Sequence, residues 1–100
     1  MNKPDVYRII QDWIRKSDIS RGYVTPTIDP YDYGIEIKLF MYSENRQEEV
    51  GVAEVISWHN LFWLPFTKKD KNYTDDTEAF LNNKLQNMYN ILKDRTQLGW

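Results

Sequence analysis

From Ile35 to Tyr42 the side chains change character at every step: Ile35, Ile37, Leu39 and Met41 fall on one side, Glu36, Lys38, Phe40 and Tyr42 on the other. A repeat of two belongs to an extended chain, so this segment predicts a β-strand with one buried face. The two ends of the chain repeat differently. Val6, Ile9, Ile10, Trp13 and Ile14 lie at i, i+3, i+4, i+7 and i+8, and Leu81, Leu85, Met88 and Leu92 form a second stripe of the same period. Each predicts an amphipathic helix with one apolar side. A strand bracketed by two one-sided helices has few ways to bury its apolar atoms, and all of them place helices against a sheet.

The remaining segments fill in that outline. Pro4 and Asp5 suit the first turn of a helix that stops near Ser17 and Asp18, with Arg8–Asp12 and Asp12–Lys16 expected to pair along its wet side. Tyr23–Ile28 predicts an edge strand, since Pro26 has no N–H to donate. Asp29–Gly34 predicts a turn, and Ser43–Gln47 a polar loop. Glu49–Trp58 predicts another strand, in which Val52 and Ile56 share a side with Glu54, while Gly51, Ala53 and Val55 share the other. A bulge or a closely packed helix would account for those small residues. His59 and Asn60 are placed to close a hairpin into a fourth strand, Leu61–Phe66. After a polar connector, Thr67–Tyr73, a helix is expected to start at Thr74 or Asp75 and run to about Gln97, with Phe80, Tyr89 and Ile91 widening its stripe.

The fold class is therefore α+β: an N-terminal helix, a three- to four-stranded antiparallel sheet and a C-terminal helix. One hundred residues, 41% of them hydrophobic, suffice for a single domain of two or three layers spanning residues 1–100.

Several chemistries have no residues to carry them. With no cysteine there is no disulfide, thiolate or Cys-ligated zinc, which fits a cytoplasmic protein. No run approaches the ~18–20 apolar residues of a membrane span, and the N-terminus lacks a signal-peptide layout. The sole histidine, His59, has no nucleophile at a useful spacing, and no glycine-flanked serine elbow exists. Asp29 with Asp32 reads as a turn, and Asp75, Asp76 and Glu78 as a helix start; neither has the spacing of a metal loop. Gly22, Gly34, Gly51 and Gly99 stand alone, so no phosphate-cradling loop is present. We expect no catalytic residues, no metal and no cofactor: the chain is not read as an enzyme.

Binding is the remaining class. Four Trp, seven Tyr and four Phe exceed what one buried sheet face absorbs. Either one helix covers each face, or an aromatic surface stays open for a partner. The expected anchors for another protein are Phe40, Tyr42, Trp58, Leu61, Phe62, Trp63 and Phe66. Glu36, Glu44, Glu48, Glu49 and Glu54 outnumber Lys38 and Arg46 between Gly34 and Phe66, which favours a basic partner surface. A homodimer through the same aromatics is an alternative. So is a nucleic-acid binder that grips a backbone with Lys68, Lys69 and Lys71 and stacks a base on Tyr73, although 13 Lys+Arg against 15 Asp+Glu is no basic footprint.

In size and helix–sheet–helix order, with a composition rich in Asn, Ile, Lys and Tyr, the whole chain resembles small phage and mobile-element accessory proteins, including anti-CRISPR inhibitors of host nucleases. That resemblance implies an inhibitor or modulator of a host protein and assigns no residue a role.

Overall fold

The computed structural model of the chain describes residues 2–27, 33–62 and 73–97, the side chains of 62 and 73–76 excepted. Helix α1 spans Lys3–Lys16. Asn2 caps it: its side chain accepts from Asp5 N–H, and the Asp5 carboxylate accepts in return from Asn2 N–H, a reciprocal box that satisfies two otherwise orphaned donors. The expected i,i+4 ion pairs are replaced by i,i+3 pairs. Arg8 turns back to Asp5 at 3.2 Å and Arg15 turns back to Asp12. In both, the long arginine reaches toward the helix N-terminus, the direction in which helical side chains lean.

Three antiparallel strands follow in the order β1-β2-β3: Arg21–Pro26, Gly34–Ser43 and Glu48–Ser57. The first begins two residues before the predicted Tyr23 and ends at Pro26; Ile28 and residues 29–32 of the expected 29–34 turn lie outside the described residues, and Gly34 already opens the second strand. The β2–β3 register is continuous from Gly34–Ser57 to Ser43–Glu48, so no bulge interrupts β3. The small residue Gly51 answers instead to its cross-strand partner Phe40, whose ring occupies the space above it. At the β2–β3 turn Gln47 takes a left-handed φ of 56°.

Where a hairpin into a fourth strand was expected, Trp58–Phe62 forms a short helix, α2. Trp58 N–H makes one last ladder bond to Tyr33 O, and then the Ser57 hydroxyl accepts from Asn60 N–H, as a helix N-cap does. Residues 63–66 of the expected strand lie outside the described part. Helix α3 spans Tyr73–Gln97, starting before the predicted Thr74 or Asp75. Its last carbonyls are satisfied by the β2–β3 turn: the buried Ser43 hydroxyl donates to Thr96 O, and the Asn45 amide donates to Thr96 O and Gln97 O.

Both long helices lie on the same face of the sheet. α1 packs on β1, α3 packs on β2 and β3, and the helices pack on each other. Three strands about 4.8 Å apart are no wider than two helices about 8–10 Å apart, so the pair spans that face. The core between the layers consists of Val6 and Ile10 from α1, Ile35, Ile37, Leu39 and Met41 from β2, Val50 and Ile56 from β3, Leu61 from α2, and Leu81, Leu85, Met88 and Leu92 from α3. Phe80 and Tyr89 flank the α3 stripe as expected. Ile91 does not; it is 43% exposed, because it sits a full 100° of helix rotation from Leu92.

Candidate protein-binding surface

With both helices on one side, no described element covers the other side of the sheet. β1 contributes Arg21, Tyr23 and Thr25 to this open face, β2 contributes Glu36, Lys38, Phe40 and Tyr42, and β3 contributes Glu49, Gly51, Ala53 and Val55. Tyr42 is 51% exposed, Tyr23 46% and Val55 46%. A sheet has two faces and the described residues cover one, so among them aromatic and branched side chains remain exposed.

Two of the aromatics, Phe40 and Tyr23, share one cation. Arg21 lies 4.7 Å from the Phe40 ring centroid and 5.8 Å from that of Tyr23, while the two rings meet edge to face at 6.1 Å. The same guanidinium donates to the Tyr23 hydroxyl and pairs with Glu49 at 2.8 Å. The Tyr23 hydrogen bond first, and then Glu49, raise the Arg21 pKa further above its already high value. Beside this cluster Lys38 lies 3.7 Å from Glu36. Cations and carboxylates on the face thus neutralise each other in pairs. The acidic excess expected to attract a basic partner is mostly consumed inside the molecule, since Glu48 pairs with Arg46 and Glu54 with Lys84 as well.

The expected binding residues divide three ways. Phe40, Tyr42 and Glu36 stand together on the open face. Glu54 points to the opposite, helix-covered side, where Lys84 Nζ of α3 donates to it at 2.5 Å. Leu61 is fully buried in the core. Trp58 is half-buried, edge-on to Tyr7 at 6.1 Å and beneath the Lys3 ammonium at 4.8 Å. It fastens α2 to α1, away from the open face. Trp63 and Phe66 lie outside the described residues, as does the Phe62 side chain. Of the nucleic-acid set, Lys68, Lys69 and Lys71 also lie outside, and Tyr73 opens α3 with its side chain undescribed.

Sequence reasoning passed over Tyr23, Val55 and Arg21. Alternation within each strand could have supplied the first two once the covered side was known. Among the described residues no group of three or more His, Asp or Glu side chains is arranged to hold a metal ion, and His59 is exposed on α2. No helix among them is long and apolar enough to cross a membrane.

No family, curated protein or solved structure matches the chain.

Proposed function

We propose that this chain is a non-enzymatic protein-binding module, an accessory protein that inhibits or modulates another protein by occupying its surface. The observation that carries the reading is the one-sided helical layer, which leaves Tyr23, Tyr42 and Val55 exposed on one face of the sheet, with Tyr23 and the half-buried Phe40 gathered about Arg21. Tyr23, already engaged by Arg21 and Phe40, loses little side-chain entropy when a partner covers it, and Tyr and Arg are the residue types that concentrate binding energy. The face is charge-balanced, so it suits a partner surface of mixed or neutral character better than a strongly basic one.

Area bears on the homodimer alternative. The strand lengths and spacing give the open face a projected area of roughly 400 Å², about half of the ~800 Å² that each side contributes to a standard interface. Face-to-face association of two copies through this surface alone is accordingly weak, and a stable complex needs contacts beyond it.

The test is affinity capture from nuclease-treated host lysate with the wild-type chain and with a Tyr23→Ala/Tyr42→Ala double variant of unchanged circular dichroism. A partner held by the wild type and depleted at least about ten-fold by the variant supports the reading, at the scale of hot-spot truncations. Equal recovery by both removes the open face from consideration. Recovery that disappears on nuclease treatment points instead to nucleic acid and the Lys68–Tyr73 segment.

A further inference from the structure

β3 is an outer strand of the sheet, and the hydrogen-bond phase shows what its outer side presents. The bond from Trp58 N–H to Tyr33 O continues the ladder in which odd-numbered residues of β2 face β3. Residues of β3 opposite even-numbered ones are then non-hydrogen-bonded to β2. These are Glu49, Gly51, Ala53, Val55 and Ser57, and their N–H and C=O groups point outward along the edge. The side chain of α3 that reaches this edge conforms: Arg95 Nη1 donates to Gly51 O at 2.5 Å. No described residue takes the outward groups of Ala53 and Val55.

Directly beside that stretch is a hollow of about 250 Å³ lined by Lys38, Phe40, Gly51, Val52, Ala53 and Arg95. The Phe40 ring covers Gly51, and beside it Ala53 raises little above the sheet. Two cations line it and no carboxylate does. Arg95 makes no ion pair among the described residues, and Lys38 is only loosely engaged, its ammonium 3.7 Å from Glu36 with both side chains substantially exposed.

We infer that the β3 edge binds an extended protein segment ending in a free carboxylate. The segment runs antiparallel to β3 and exchanges backbone hydrogen bonds with Val55 and Ala53. Its terminal carboxylate lies beside Gly51, where the Arg95 guanidinium and the Lys38 ammonium receive it and the Phe40 ring borders the last side chain. The direction follows from the placement: β3 advances from Gly51 to Val55, so an antiparallel segment reaches the cations at its C-terminal end. Charge selects this occupant, because Arg95 has no ion-pair partner among the described residues and Lys38 keeps only its 3.7 Å contact with Glu36, so a carboxylate beside Gly51 supplies the missing counter-charge. The inference rests on the protein-binding reading and names a second contact region for it, adjacent to the open face.

The experiment uses the full chain and a library of random seven-residue peptides displayed with free C-termini. Selected peptides are synthesised as the free acid and as the C-terminal amide and titrated into ¹⁵N-labelled protein. The expected result is that amidation weakens binding about ten-fold, the loss of charge-assisted hydrogen bonds. The amide shifts should centre on Ala53 and Val55, and Arg95→Gln should abolish the difference between acid and amide. Lys38→Gln, which leaves the Arg95–Gly51 contact intact, should reduce that difference by itself. Peptides that bind equally as amides, with shifts confined to Tyr23 and Tyr42, overturn the edge site and leave the protein-binding reading standing. So does a library without binders when a lysate partner is still captured through Tyr23 and Tyr42. Neither peptides nor a partner overturns both.

Discussion

The ring of Phe40 stands where a side chain at Gly51 would stand: a β-carbon there would lie 2.8 Å from Phe40 Cε1 and 2.9 Å from Cδ1. The ring is not free to swing aside, since Arg21 covers it and Tyr23 abuts it. Gly51→Ala should therefore cost about 1–3 kcal/mol of stability, in the range of small overpacking changes. In a Phe40→Ala background most of that cost should vanish, because the obstruction is gone. Urea unfolding of the four chains gives the coupling; additive effects would show that the ring does not restrain Gly51.

The α3 stripe makes a second contrast. Leu85 is fully buried between the helices and the sheet, whereas Ile91 is exposed. Leu85→Ala should destabilise by about 2–5 kcal/mol. Ile91→Ala should stay within about 0.5 kcal/mol, as solvent-side changes do. Thermal midpoints of the two variants check both.

Thr77 is buried on α3, and its hydroxyl donates to Leu61 O of α2 at 3.0 Å. Thr77→Val keeps the shape and leaves that carbonyl without its donor. We expect a loss of about 1–3 kcal/mol, with hydrogen exchange accelerating at the amides of α2 more than at those of β2.

Acid should loosen α1. The Arg8 hydrogen bond, and then the Asn2 N–H, hold the Asp5 carboxyl below its ordinary value of 3.8. A group whose pKa is depressed on folding stabilises the fold above its unfolded value, and that contribution is lost as pH falls through the folded one. The urea midpoint should thus drop more steeply below about pH 4 in the wild type than in Asp5→Asn. Identical pH profiles would mean that the capping box is not populated in solution.

The layers of this fold are written locally, which is why they could be read. The alternation of Ile35, Ile37, Leu39 and Met41 matches the buried side of β2, and Leu81, Leu85, Met88 and Leu92 are all buried along α3. What escaped was set by partners distant in sequence. Arg21 and Gly22 have little strand preference and join β1 because Phe40 and Leu39 pair with them. The helical turn at Trp58–Phe62 had one local signal, Ser57 as its cap, and it was outweighed by the apolar run that follows.

The open face was legible only as a pair of alternatives. Periodicity tells which side of a helix is apolar, and it is silent about which side of the sheet that helix crosses. The charges misled for a related reason. Glu36, Glu48, Glu49 and Glu54 each find a cation, two of them through contacts more than twenty residues away. Arg95, which lines the hollow at the β3 edge, gave no signal at all: nothing in a helical arginine near a C-terminus announces that it will reach a glycine carbonyl across the layer.

The two margins of the sheet are unequal. On the β1 side Thr27 N–H bonds Gly34 O, a phase that turns only Gly22, Val24 and the donorless Pro26 outward on a six-residue strand. On the β3 side the strand is ten residues long. Stacking into filaments demands that every subunit offer a receptive margin at each end. Among the described residues the β3 margin is thus the longer template and the β1 margin the shorter, proline-blunted one, so a joining strand has a preferred side of the sheet and a repeating stack has unequal ends to match.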